Sequence, residues 1–152
     1  MLSAEGTGRG AGGERTMIEL QKTVLVAEDD AWTRALLTAI LTEEGYAVQE
    51  AANGAEAIRL ARKHDPHVVL LDLALPRKSG LDVLWELKSD EATRDIPVIV
   101  VSGYALLLPA DDASLADCVI QKPFDLADLL VRVDQAASKR LTTRGSTQST
   151  SL

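Results

Sequence analysis

Apolar positions fall into two patterns along this chain: short unbroken runs of Val, Leu and Ile, and longer stretches with apolar residues three or four places apart. The runs Val24–Ala27, Val68–Leu71, Pro97–Val101 and Cys118–Gln121 read as strands buried on both faces, with Tyr46–Glu50 a further strand. The stretches between them read as helices. Asp30 caps the first, whose apolar face is Leu36, Leu37, Ile40 and Leu41 and which ends near Gly45. Gly54–Lys63 is the second. Ser79-Gly80-Leu81-Asp82 has the spacing of a capping box, with Asp in place of the usual Glu, and opens a third helix through Lys88. Asp125 caps the last helix, with Phe124 set to pack on Leu129 and a stripe of Leu126, Leu129, Leu130, Val133 and Ala137 at helical spacing. Only Ala105–Ser114 breaks the pattern. Its Leu106-Leu107-Leu108-Pro109 and Asp111-Asp112 predict a short, irregular helix, with Pro109 tolerated in a first turn but not in the middle.

Five strands separated by helices predict an α/β protein with a parallel sheet, because parallel neighbours need a crossover and helices supply it. Composition narrows this further. Aromatics make up only 3% of the chain, so the core must be built from Leu, Val, Ile and Ala. Residues 6–13 hold five of the ten glycines and have nothing apolar to bury, so residues 1–21 are expected to form a flexible arm. Residues 22–140 form the folded domain, and the Ser- and Thr-rich residues 141–152 read as a disordered tail.

The net charge of −7 argues against DNA or an anionic membrane as the main partner. One cysteine, Cys118, can form no intramolecular disulfide and reads as a small core residue. No apolar run approaches the roughly 18 residues of a membrane span. A cytoplasmic protein is therefore expected.

In an open parallel sheet, ligands bind beyond the carboxyl ends of the strands. Strand one runs into Glu28-Asp29-Asp30, strand three into Asp72, strand four into Ser102 and strand five into Lys122. A single acid after a strand is ordinary helix capping, which suffices for Asp30. The combination is harder to explain that way. Two carboxylates about 5 Å apart repel by roughly 3 kcal/mol at an effective dielectric near 20. A hard divalent cation removes that cost, since Mg²⁺ takes oxygen ligands.

These motifs resemble those of response-regulator receiver domains. Val24-Leu25-Val26-Ala27-Glu28-Asp29-Asp30 looks like their acidic strand end, and Val69-Leu70-Leu71-Asp72-Leu73-Ala74-Leu75-Pro76 with Gly80 like their phosphoacceptor loop. Pro97–Tyr104 resembles their strand four with its hydroxyl residue, and Lys122-Pro123-Phe124 their strand-five lysine. The resemblance spans residues 22–139 and implies a flavodoxin-like, doubly wound (βα)5 fold with strand order 2-1-3-4-5. It implies that Asp72 takes a phosphoryl group from a histidine kinase or histidine phosphotransfer protein. Asp29, Asp72 and the Ala74 carbonyl would ligate Mg²⁺ or Mn²⁺ directly, and Glu28 through water. Ser102 and Lys122 would bind the phosphoryl oxygens, and the Lys122-Pro123 peptide would be cis. Phosphorylation would switch binding of a downstream protein, with no direct nucleic-acid contact and no catalysis on external substrates. Trp32, beside the acids, would report on the site.

Two departures bear on output. Val119 stands where the family commonly carries an aromatic, and the segment between Ser102 and Lys122 is shorter than usual. The reading that follows is a stand-alone receiver, with a receiver fragment of a longer regulator or hybrid kinase as the alternative. A pseudo-receiver that binds partners unphosphorylated would lack the acidic pocket, Asp72 or Lys122, and all are present. An aspartate-nucleophile phosphatase of the haloacid dehalogenase type would want an aspartate where Ala74 stands.

Overall fold

The computed structural model describes residues 21–151, with side chains described as far as Arg140. The expected glycine-rich arm lies outside the described residues, apart from Gln21. The elements run β1 (Thr23–Ala27), α1 (Ala31–Glu43), β2 (Ala47–Ala51), α2 (Gly54–His64), β3 (Val68–Leu71), α3 (Gly80–Ser89), β4 (Val98–Ser102), α4 (Ala110–Ala113), β5 (Cys118–Gln121) and α5 (Leu126–Ser151). A single 3-10 turn, Ala105–Leu107, precedes α4. All strand pairs are parallel, in the order β2-β1-β3-β4-β5.

The unbroken apolar runs follow from helices on both faces of the sheet. Successive strand residues point to opposite sides. Val24, Val26, Val68, Leu70, Ile99 and Val101 meet Leu37 and Leu41 of α1 and Leu129 and Val133 of α5. Their neighbours Leu25, Ala27, Val69, Leu71, Val98 and Val100 meet Ala57, Ile58 and Ala61 of α2 and Val83, Leu84 and Leu87 of α3. The local stops are as read. Asp30 accepts the Thr33 N–H at 2.8 Å, and Gly45 leaves α1 at a φ of +98°. Ser79 accepts the Asp82 N–H at 3.2 Å.

Several expectations need correction. Leu36 does not join the α1 core but stands 49% exposed, because the helix turns only Leu37 and Leu41 fully inward. Tyr46 precedes β2 rather than opening it. Its ring packs with the α1–α5 cluster and its hydroxyl donates to Asp134 at 3.3 Å. Cys118 is only half-buried, since β5 is the sheet edge, and its Sγ accepts from Arg132 Nη1 at 2.8 Å. The last helix is Leu126–Ser151.

The region of Ala105–Ser114 is as irregular as its sequence. It holds a 3-10 turn and the four-residue α4, with Pro109 just ahead of the first helical residue, where its missing N–H costs nothing.

Candidate functional site

Parallel topology puts the carboxyl ends of all five strands on one edge. There the ladder continues one residue beyond three strands. The Glu28 N–H donates to the Ala51 carbonyl and the Asp72 N–H to the Ala27 carbonyl, both at 3.0 Å. The Lys122 N–H donates to the Ser102 carbonyl at 3.0 Å. Each of these residues is therefore fixed by its neighbour strand before any side chain is considered.

The side chains then converge. Lys122 Nζ lies 2.6 Å from Glu28 Oε1 and 3.0 Å from Asp72 Oδ2. Glu28 Oε2 accepts the Asp30 N–H at 3.1 Å, and Asp72 Oδ1 accepts the Ala74 N–H at 3.1 Å. Glu28 and Asp72 are buried, while Asp29 is exposed at the rim. One carboxylate oxygen from each of Glu28, Asp29 and Asp72 lies within 4.8 Å of the others. Lys122 and Pro123 are joined by a cis peptide, as the resemblance implied.

The electrostatics are under tension. Burial raises the Glu28 carboxyl above its ordinary value against the hydrogen bonds from Lys122 and Asp30, and the Asp72 charge adds to the rise. Burial alone would lower the Lys122 ammonium, but hydrogen bonds to Glu28 and Asp72 outweigh it and leave it raised. Lys122 pairs with two of the three clustered carboxylates, Glu28 and Asp72, so the cluster keeps two formal negative charges for another cation. The donors are all hard oxygens, a set suited to Mg²⁺ or Mn²⁺ and unsuited to soft metals.

Ser102 ends β4 fully buried, and its Oγ accepts the Tyr104 N–H at 3.1 Å instead of joining the carboxylates. Gly80 explains how α3 comes so close to the loop after Asp72. A Cβ at that position would collide with the Asp72 carbonyl, and the Gly80 N–H donates to the Leu73 carbonyl at 2.9 Å. Trp32 stands 81% exposed at the start of α1.

One residue of the site carried no sequence signal. Arg34 Nη1 donates to the Glu28 carbonyl at 2.7 Å, and its Nε to Glu50 Oε1 at 3.1 Å. It thus fastens the backbone that presents the acids to β2. An arginine in the first turns of an amphipathic helix reads as surface, and nothing in its spacing marks a carbonyl contact.

The fold and this pocket define a doubly wound α/β domain with an acidic, oxygen-donor site at the carboxyl edge of its sheet, and comparison with known proteins gives its family. The profile of the response regulator receiver domain family matches residues 24–134. The chain belongs to that family. It is 38% identical over 122 residues to the transcriptional regulatory protein PdtaR of Mycobacterium tuberculosis, covering 78% of this chain and 58% of PdtaR. It is 39% identical over 87 residues to the polar-differentiation response regulator DivK of Brucella anthropi, covering 57% of this chain and 71% of DivK. The chain therefore spans little more than half the length of PdtaR. Among solved structures, a CheY-like receiver from Methanospirillum hungatei is 25% identical with a TM-score of 0.72, covering 81% of this chain and 98% of that one. The receiver domain of a sensor histidine kinase from Pseudomonas aeruginosa, with a magnesium ion coordinated in its active-site cleft, is 25% identical with a TM-score of 0.69, covering 78% and 98%. Receiver domains are phosphoacceptor switches of two-component systems, and this chain carries their acidic pocket. Among the described residues, no helix is long and apolar enough to cross a membrane.

Proposed function

We propose that Asp72 accepts a phosphoryl group from a histidine kinase or histidine phosphotransfer protein, and that the acyl phosphate switches binding of a separate protein. The observation that carries this reading is the meeting of Glu28, Asp29, Asp72 and Lys122 at one sheet edge. Structural capping would not gather three acids at one point with an ammonium on two of them.

In the proposed step, an Asp72 carboxylate oxygen attacks the phosphorus of a phosphohistidine. The P–N bond breaks, and the imidazole leaves with its electron pair. Asp29, Asp72 and the Ala74 carbonyl would hold Mg²⁺ or Mn²⁺ directly, with Glu28 acting through water. When bound, the cation supplies positive charge for the phosphoryl oxygens, which is most of what this chemistry asks of a protein. The Lys122 ammonium, already on Asp72, and the Ser102 hydroxyl would take the remaining oxygens. The domain turns over no external substrate and loses its phosphoryl group by hydrolysis.

The surface beside the pocket supports a protein donor. Thr33, Leu36, Ile40, Pro123, Phe124 and Leu126 line an apolar groove of about 550 Å³ that borders Lys122. This gives the exposed Leu36 a use, since an apolar groove rimmed by the reactive pocket suits a helix of the donor. Incubation with acetyl phosphate and Mg²⁺ is expected to add one phosphoryl mass that hydroxylamine removes. Labelling of Asp72→Asn at the wild-type level would overturn the assignment.

A further inference from the structure

On the proposed reading, a change at the hydroxyl that ends β4 has to reach a surface that a partner can read. Val119 offers neither ring nor hydroxyl for such a link, being a half-buried residue paired in register with Val100. Gln121 lies two residues further along β5, in register with Ser102. Its carboxamide reaches across to the chain that leaves β4. Nε2 donates to the Gly103 carbonyl at 2.9 Å and to the Lys122 carbonyl at 3.0 Å. Oε1 accepts the Leu106 N–H at 3.1 Å.

Both amide protons and the oxygen are engaged, so the orientation of the group is determined. A flipped amide would set oxygen against two carbonyls and NH₂ against an N–H. The clamped segment has little else to hold it. Ala105 is buried, but Tyr104, Leu106 and Leu107 are 59%, 83% and 77% exposed. The Leu107 N–H bonds the Tyr104 carbonyl within the turn, and the Tyr104 N–H ends on Ser102 Oγ. The loop is therefore tied at one end to a residue of the pocket and at two points to Gln121.

We infer that Gln121 is the positioning residue that couples Ser102 to the exposed Tyr104–Leu107 turn. This rests on the reading of Ser102 as a phosphoryl ligand. When the Ser102 hydroxyl turns to a phosphoryl oxygen, it releases the Tyr104 N–H and shifts Gly103, the next residue. The Gly103 carbonyl then leaves Nε2, and Leu106 loses its acceptor on the same side chain. Leu106 and Leu107 thereby change position in response to chemistry at Asp72, with no ring rotating on β5.

The test is amide hydrogen exchange in the full chain, with and without beryllofluoride and Mg²⁺, on wild type, Gln121→Met and Gln121→Glu. In wild type, beryllofluoride should speed exchange at Leu106 about tenfold. In Gln121→Met, which keeps the shape but loses all three bonds, Leu106 should already exchange at that faster rate without the mimic. Beryllofluoride should then add less than a twofold change. Gln121→Glu keeps the Oε1 acceptor but sets its second oxygen against the Gly103 and Lys122 carbonyls, so Leu106 should lose basal protection there as well. Uptake of phosphoryl groups at Asp72 should stay within twofold in both variants, a separation that general destabilisation would not give. A Gln121→Met chain whose Gly103–Leu108 amides respond to beryllofluoride as wild type does would overturn the coupling. Failure of wild-type Asp72 to take label would overturn the phosphoacceptor reading instead, and the basal exchange of Leu106 in Gln121→Met would still decide the clamp.

Discussion

The ends of β1 and β3 and the ends of β4 and β5 lie side by side on one sheet edge, yet they are held to different degrees. Glu28 and Asp72 hang on ladder hydrogen bonds to Ala51 and Ala27, and Arg34 grips the Glu28 carbonyl from α1. Gly80 lets α3 pack directly against the loop after Asp72. Beyond β4 the chain makes a 3-10 turn and a four-residue helix, and two leucines face solvent. One side chain, Gln121, supplies two of the hydrogen bonds there, with a third to the Lys122 carbonyl after β5. The contrast matches the two tasks of a switch. Charge positioning loses rate when groups must reorganise during reaction, so the pocket is built in advance. A response needs a segment whose rearrangement costs little, and a sparsely buried turn is such a segment.

The largest effect should come from the ordered side. Asp29→Ala is expected to weaken Mg²⁺ binding by at least about 100-fold, since even outer-sphere partners cost roughly 10–100-fold. The same variant should melt at or above wild type in EDTA, because one of three crowded charges is gone. Titration followed by Trp32 fluorescence and thermal melts would check both. Unchanged metal affinity would dissolve the distinction between the two regions.

A smaller effect should separate them directly. With beryllofluoride, exchange across Gly103–Asp112 is expected to change several-fold while Cys118–Gln121 stays constant. Protection that changed mainly on β5 would put the response on the strand, and the contrast drawn above would have to be reversed. The smallest effect concerns stability. Replacing Leu106 and Leu107 with Ser should each shift unfolding free energy by no more than about 0.5 kcal/mol, as for surface positions without a special role. Urea unfolding would measure this, and a loss beyond about 2 kcal/mol would mean the leucines pack in a way their exposure denies.

Much of this was legible one residue after another. Runs such as Val68–Leu71 announce strands covered on both faces, and Asp30, Ser79 and Gly45 stop and start helices through contacts within four residues. Such signals survive in sequence because each depends on neighbours along the chain. The positions of Asp72, Ser102 and Lys122 at strand ends followed from the same runs, and parallel topology alone put them on one edge.

What the sequence did not decide depends on register across crossovers. Lys122 meets a glutamate 94 positions away because β1, β3, β4 and β5 pair as they do. Arg34 and Gln121 have ordinary surface character in sequence, and only the folded backbone brings carbonyls within their reach. Leu36 satisfies the helical apolar stripe as well as Leu37 does, but α1 rests on the sheet through a narrower face than the stripe. Periodicity fixes which residues share a side of a helix, whereas the sheet and its neighbouring helices decide how much of that side is covered.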